Sequence, residues 1–170
     1  MVTLSTERLT LRMFRETDLD VYAKICGDPE VMRFLGGHTM SRDEAWRNMA
    51  LILGHWSLRG FGFWAVEEKK TGALIGRVGL WCPEGWPGIE IGWALARQSW
   101  GQGFATEAAV ASLAYAFDEL NQPHVISLID PANFPSVRVA QRLRMRLEGR
   151  TEVFGRETQV FGIRRAASKR

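Results

Sequence analysis

Two glycines, Gly101 and Gly103, stand directly before a strongly apolar helical run in "WGQGFATEA" (100–108). Glycine is costly to order and weakens helices, so a pair of them at a helix start needs a local cause. Two causes fit the spacing. One is a plain turn. The other is a backbone that must approach an anion, because the free N–H groups of a helix N-terminus collect negative charge. The amides of residues 101–106 would then point at one spot. Nucleotide motifs do not account for the turn. "GQGFAT" lacks the third glycine of G-x-G-x-x-G and does not open the first βαβ unit, and no G-x-x-x-x-G-K-[ST] occurs in the chain.

The elements that must position this turn follow from hydrophobic period and punctuation. "RLTLRMF" (8–14) alternates as a strand. Thr17 or Asp18 is placed to cap a helix ending near Gly27, and Pro29 to open a short turn. Ser41 with Glu44 forms a capping box for a helix over 41–60 that Gly60 stops. "FGFWAVEE" (61–68) and "ALIGRVGLW" (73–81) read as a hairpin, followed by a loop over 83–88 and the strand "IEIGWAL" (89–95). Gly92 inside that strand predicts a bulge or a close backbone approach. After the glycine turn comes a helix to about Leu120, then the strand "HVISLID" (124–130), a helix within "PANFPSVRVAQRLRMR", and strands over 147–155 and 158–166. The order β-α-α-β-β-β-α-β-α-β-β predicts an α/β protein with a mixed sheet flanked by helices, not a doubly wound parallel sheet.

At 170 residues with 46% apolar content, one domain over 1–170 with a sizeable core is expected. Cys26 and Cys82 match no metal or redox spacing and read as free thiols in a reducing cytoplasm. The N-terminus has no signal-peptide pattern, and "AAVASLAYAF" (108–117) is too short to span a bilayer. Charge is uneven: net −3 over 1–120 and net +6 over 121–170. The basic third suits an acidic partner, a polyphosphate cofactor or plain solvent. It carries no RNP-type aromatic motif, so the nucleic-acid signal is weak.

"IEIGWALARQSWGQGFATEA" (89–108) resembles the coenzyme A motif of the GNAT N-acetyltransferase superfamily, in particular its ribosomal-protein N-terminal (Rim-type) branch. "TERLTLRMFRETDLD" and "NFPSVRVAQRLRMRLEGR" resemble further segments of that branch. Gly103 and Ala105 match the end of the pattern Gln/Arg-x-x-Gly-x-Gly/Ala, with Trp100 at its first position. The resemblance implies a central, mostly antiparallel twisted sheet of about seven strands and acetyl-CoA as cosubstrate, with no metal. It implies that Gly101, Gln102, Gly103, Phe104, Ala105 and Thr106 wrap the pyrophosphate, and that the pantetheine arm lies beside Trp93, Ala94 and Leu95. In this reading a bulge at Gly92 splays the strand, and Asn133 bonds the cofactor or fixes the splay.

Transfer from a thioester to an amine needs an unprotonated amine, donors for the developing oxyanion, and a proton for the leaving thiolate. Glu90 is the base candidate, on the cofactor strand; the alternative is a solvent-facing or ion-paired carboxylate. Glu84 and His38 are weaker candidates, and His55 and His124 read as structural. No tyrosine occupies the segment where many superfamily members carry their acid, which leaves Ser136 as proton donor, as helix N-cap, or both. Trp81, Trp86 and Trp93 wall an amine pocket or fill the core. Arg144 stands where relatives carry glycine. The expectation is an N-acetyltransferase acting on a protein or peptide N-terminus or a small amino compound, as a monomer or homodimer away from membranes. The alternative is a non-catalytic acyl-CoA-binding module.

Overall fold

The strands β1 (Leu4–Ser5), β2 (Leu9–Arg12), β3 (Phe63–Glu68), β4 (Leu74–Trp81), β5 (Glu90–Leu95), β6 (His124–Ile129), β7 (Arg146–Val153) and β8 (Arg156–Arg164) form one sheet in the spatial order β1-β2-β3-β4-β5-β6-β8-β7. This is a computed structural model, and it describes residues 2–153 and 155–166. Met1, Phe154 and residues 167–170 of the expected 1–170 span lie outside the described residues, Phe154 being part of the strand expected over 147–155. Every neighbouring pair is antiparallel except β5 with β6. The mixed, mostly antiparallel sheet is the expected one. It has eight strands rather than about seven because the two-residue β1, too short to leave an alternation signal, pairs with β2.

Among the described residues, five α-helices flank the sheet: α1 (Leu19–Cys26), α2 (Pro29–Met32), α3 (Arg42–Arg59), α4 (Phe104–Ala114) and α5 (Phe134–Arg142). A π turn over Tyr115–Glu119 continues α4 to Leu120. Local sequence explains most boundaries. Ser41 and Glu44 exchange the two capping-box bonds at the start of α3, and Gly60 closes it in the left-handed conformation. The start of α1 differs from expectation. Neither Thr17 nor Asp18 caps it with a side chain; a 3-10 turn over Glu16–Asp18 leads in. The Asp18 carboxylate instead accepts from Arg15 N–H and takes both Nη atoms of Arg12 at 2.7 and 2.8 Å. A buried charge pair of this kind outcompetes a local cap.

Directly opposed residues of paired strands share a face. Phe63, Gly79 and Gly92 are in line on one face, as are Trp81 and Glu90, and Arg77 and Ala94. Tyr22 of α1 and His55 of α3 pack on this face. On the other face Trp64, Val78 and Ile91 are fully buried, and Tyr115, just beyond α4, meets Trp64 edge-on at 5.3 Å.

Gly92 is not a bulge. β4 and β5 pair in unbroken register from Gly76–Leu95 to Trp81–Glu90. The glycine makes room for a ring: an added Cβ would meet two atoms of Phe63 at 3.0 Å.

Candidate active site

The site begins where the sheet comes apart. β5 pairs with β4 along its whole length, but with β6 only at Glu90 opposite Ile126. Ile126 N–H donates to Ile89 C=O at 2.9 Å, so the odd-numbered residues of β5 aim their backbone groups at β6. The Trp93 and Leu95 N–H groups therefore face a gap between two diverging strands, whereas Ala94 faces β4 opposite Arg77. An extended ligand can pair with such an opened strand as an added strand would.

Glu90 occupies the mouth of the gap. A continued ladder would send Leu128 N–H to Ile91 C=O. Instead, Leu128 N–H points to Glu90 Oε1 over a long 3.4 Å. Trp86 Nε1–H donates to Oε2 at 2.8 Å. Burial pushes the Glu90 carboxyl up to about 7, against the donors of Trp86 and Leu128 and the positive charge of Arg77. A carboxylate poised near neutrality is suited to proton transfer at physiological pH.

The glycine turn lies at the far end of β5. Gly101 and Gly103 both adopt left-handed backbone, with φ of 75° and 83°, which L side chains reach only with strain. Gly103 is the N-cap of α4 and offers no side-chain bond to the first-turn N–H groups. Thr106, in that first turn, has its Oγ1 buried with no hydrogen-bond partner. Uncapped amides and an orphaned hydroxyl at one helix start fit a phosphate-type anion. Three side chains brace the turn. Trp100 Nε1–H donates to Leu95 C=O at 2.8 Å, and Gln102 Nε2–H to Gln98 C=O at 2.9 Å. Arg8 donates to Gln102 C=O at 2.9 Å and to Glu107 at 2.7 Å, with its guanidinium 4.5 Å over the ring of the buried Phe104. Ala105 is half-buried beside them.

On the β6 side of the gap, α5 presents its N-terminus. Asn133 is its N-cap, accepting Ser136 N–H at 3.2 Å. Ser136 is thus not the cap; it stands three residues on. Its Oγ instead accepts Trp93 Nε1–H at 3.1 Å, a bond that spans the gap from β5 to α5.

The other candidates lie apart from this opening. His55 is buried between Phe61 C=O and Cys82 N–H and stacks on Trp81 at 4.2 Å, a structural arrangement. Trp81 also stacks on Phe63 at 5.3 Å, so of the three tryptophans only Trp86 and Trp93 bond to candidate catalytic groups. Glu84 is exposed in a pair with Arg59, His38 is exposed, and His124 pairs with Glu148. Tyr22 donates to Asn48, and burial pushes its hydroxyl above the usual range. Among the described residues no group of three or more His, Cys, Asp or Glu could hold a metal ion, and no helix is long and apolar enough to cross a membrane. Sequence reasoning missed Trp86 as a partner of Glu90, Arg8 as a brace, and Arg77. The four-residue spacing of Trp86 and Glu90 is the one signal that could have found any of them.

Comparison with known proteins gives the family of a chain with this opened strand pair and glycine-started helix. The family model described as "Acetyltransferase (GNAT) domain" matches residues 8–146. YkkB of Bacillus subtilis (strain 168) is 35% identical over 152 residues, 84% of each chain. The p20 protein of Bacillus licheniformis, described as an uncharacterized N-acetyltransferase, is 34% identical over 151 residues, 88% of this chain and 85% of its own. Among solved structures, an acetyltransferase from Agrobacterium tumefaciens str. C58 superposes with a TM-score of 0.86 at 30% identity, covering 97% of this chain and 95% of its own. The chain belongs to the GNAT acetyltransferase family. It is an acetyltransferase that uses acetyl-CoA and an amine acceptor.

Proposed function

We propose that the protein transfers acetyl directly from acetyl-CoA to a primary amine, with Glu90 as the base, in the manner of the Rim-type branch its motifs resemble. The observation that carries this is the gap between β5 and β6 with the Glu90 carboxylate at its mouth. Bound acetyl-CoA supplies an activated thioester carbonyl. The first-turn amides of α4, the Thr106 hydroxyl and the backbone of Gly101, Gln102, Gly103, Phe104 and Ala105 hold its pyrophosphate. Trp93 and Leu95 offer strand-edge groups to its arm; Ala94 lines it, and Asn133 supports it only by capping α5.

Glu90 takes a proton as the amine nitrogen forms its bond to the carbonyl carbon and the C–S bond breaks. The Trp93 N–H faces the gap where charge gathers on the carbonyl oxygen. Ser136 Oγ, held by Trp93, passes a proton to the leaving sulfur as it takes one from solvent, and Glu90 gives its proton up to solvent, so both groups end the cycle as they began. An α-amine titrates near 8, so a base of pKa about 7 is enough to keep it reactive at neutral pH. The acceptor amine is a protein or peptide N-terminus or a small amino compound. A reducing cytoplasm suits the free Cys26 and Cys82 thiols.

The test is release of free CoA thiol from acetyl-CoA across a panel of peptide N-termini and small amines. Amine-dependent release that falls in Glu90→Gln supports the reading. CoA binding without amine-dependent release would identify a non-catalytic acyl-CoA module instead.

A further inference from the structure

Arg77 sits in β4 directly opposite Ala94 and shares the sheet face of Glu90 and Gly92. Its guanidinium carbon lies 4.4 Å from the centroid of the Phe63 ring, and that ring abuts Gly92. Gly92 is two residues from Glu90, about 7 Å along a strand. The guanidinium is therefore laid back over the sheet toward the Glu90 end of β5.

Two groups fix it there. The Phe63 face attracts the cation. The Tyr22 hydroxyl, which donates to Asn48 Oδ1 at 2.7 Å, lies close enough to feel the Arg77 charge. Arg77 is half-buried, yet no ion pair among the described residues includes it. Arg12, on the same sheet, shows the contrasting case: it is buried and takes both Asp18 and Glu67. A positioned, half-buried guanidinium that reaches Glu90 only through its field and makes no ion pair can receive a second carboxylate, since its fork matches one in two hydrogen bonds.

We propose that Arg77 binds the carboxylate of the acceptor, which makes the acceptor a small α-amino acid or a close analogue whose amine is presented to Glu90. This rests on the amine-acetyltransferase reading above and selects its small-molecule branch. In such a compound one carbon separates amine from carboxylate, so its two ends can engage two groups of one sheet face at once. A peptide N-terminus carries a neutral amide at that position and leaves Arg77 unpaired.

The test compares kcat/KM for free α-amino acids, their carboxamides and the matching decarboxylated amines, at saturating acetyl-CoA. The wild-type protein should favour the free acids by about 10²-fold. Arg77→Met should lower the acid rate and collapse the acid-to-amide ratio to near one, and Arg77→Lys should keep part of the preference. Should Arg77→Met fail to fold, the wild-type ratio and Arg77→Lys decide. Equal or better use of amides by the wild type overturns the proposal, as does a loss in Arg77→Met that is the same for acids and amides. Acetylation of no amine at all would instead remove the transferase reading on which this one stands.

Discussion

The indole N–H of Trp86 donates to Glu90 Oε2 at 2.8 Å, from the loop before β5 to its first residue. The bond favours the charged form of a carboxyl that burial pushes up to about 7. Trp86→Phe removes that donor and keeps a large ring. The carboxyl should then titrate higher, and the acid limb of the kcat/KM profile should move up by about one pH unit. A profile with an unmoved limb would mean that Glu90 is not the group that controls it.

Glu90→Gln should lower kcat by about 10²-fold. It should also change the pH dependence of stability, with a definite sign. The folded-state value is above the unfolded one, so the native protein holds the extra proton between about 4.5 and 7. Below that window the neutral carboxyl carries no penalty; stability falls as pH rises through it, and stays lower above it. The wild-type protein should thus lose up to about 3 kcal/mol relative to Glu90→Gln between those limits. Urea unfolding of both proteins at pH 4.5 and pH 7.5 checks it, and parallel pH curves would contradict it.

Asn133 and Ser136 divide the roles that the sequence offered to Ser136 alone. Asn133→Ala removes the α5 cap and should cost about 1 kcal/mol. Ser136→Ala removes no cap and should cost less in the same unfolding measurement. Its kcat should nevertheless fall about tenfold, since the proposed proton donor is lost and Trp93 loses its anchor across the gap. Equal stability losses, or an unchanged kcat in Ser136→Ala, would contradict this division.

Arg144 holds a left-handed backbone at φ 61°, on an exposed residue just after α5. Glycine adopts that conformation without a Cβ clash. Arg144→Gly should raise stability by up to about 1 kcal/mol in thermal or urea unfolding. A destabilised variant would show that the arginine side chain makes up for the strain.

The strand and helix pattern was legible because hydrophobic period and caps are local: Ser41, Glu44 and Gly60 mark α3 within one stretch of chain. Gly103 and Glu90 stood out for the same reason, one at a helix start and one on the strand beside it. What the sequence hid are pairings between distant segments. Arg8 meets Glu107 across 99 residues, and Trp93 meets Ser136 across 43. Gly92 reads in sequence as a bulge or a close backbone approach, because a strand glycine signals lost side-chain space without naming what fills it. Here it is the Phe63 ring, brought in by the neighbouring hairpin. Ser136 reads in sequence as a proton donor, a cap or both, because serine suits a helix start; the cap is taken by Asn133, three residues earlier.

The central claim, that the start of α4 holds the pyrophosphate of CoA, is tested most directly at Thr106. Substitutions at Gly103 confound the question, because any side chain there is strained at φ 83° before a ligand is considered. Thr106→Val keeps the shape of the side chain and deletes a buried hydroxyl that has no partner among the described residues. Calorimetric titration with CoA should therefore show affinity weakened by about tenfold or more, with an unfolding midpoint no lower than that of the wild type. A Thr106→Val protein that binds CoA as tightly as the wild type would place the pyrophosphate elsewhere.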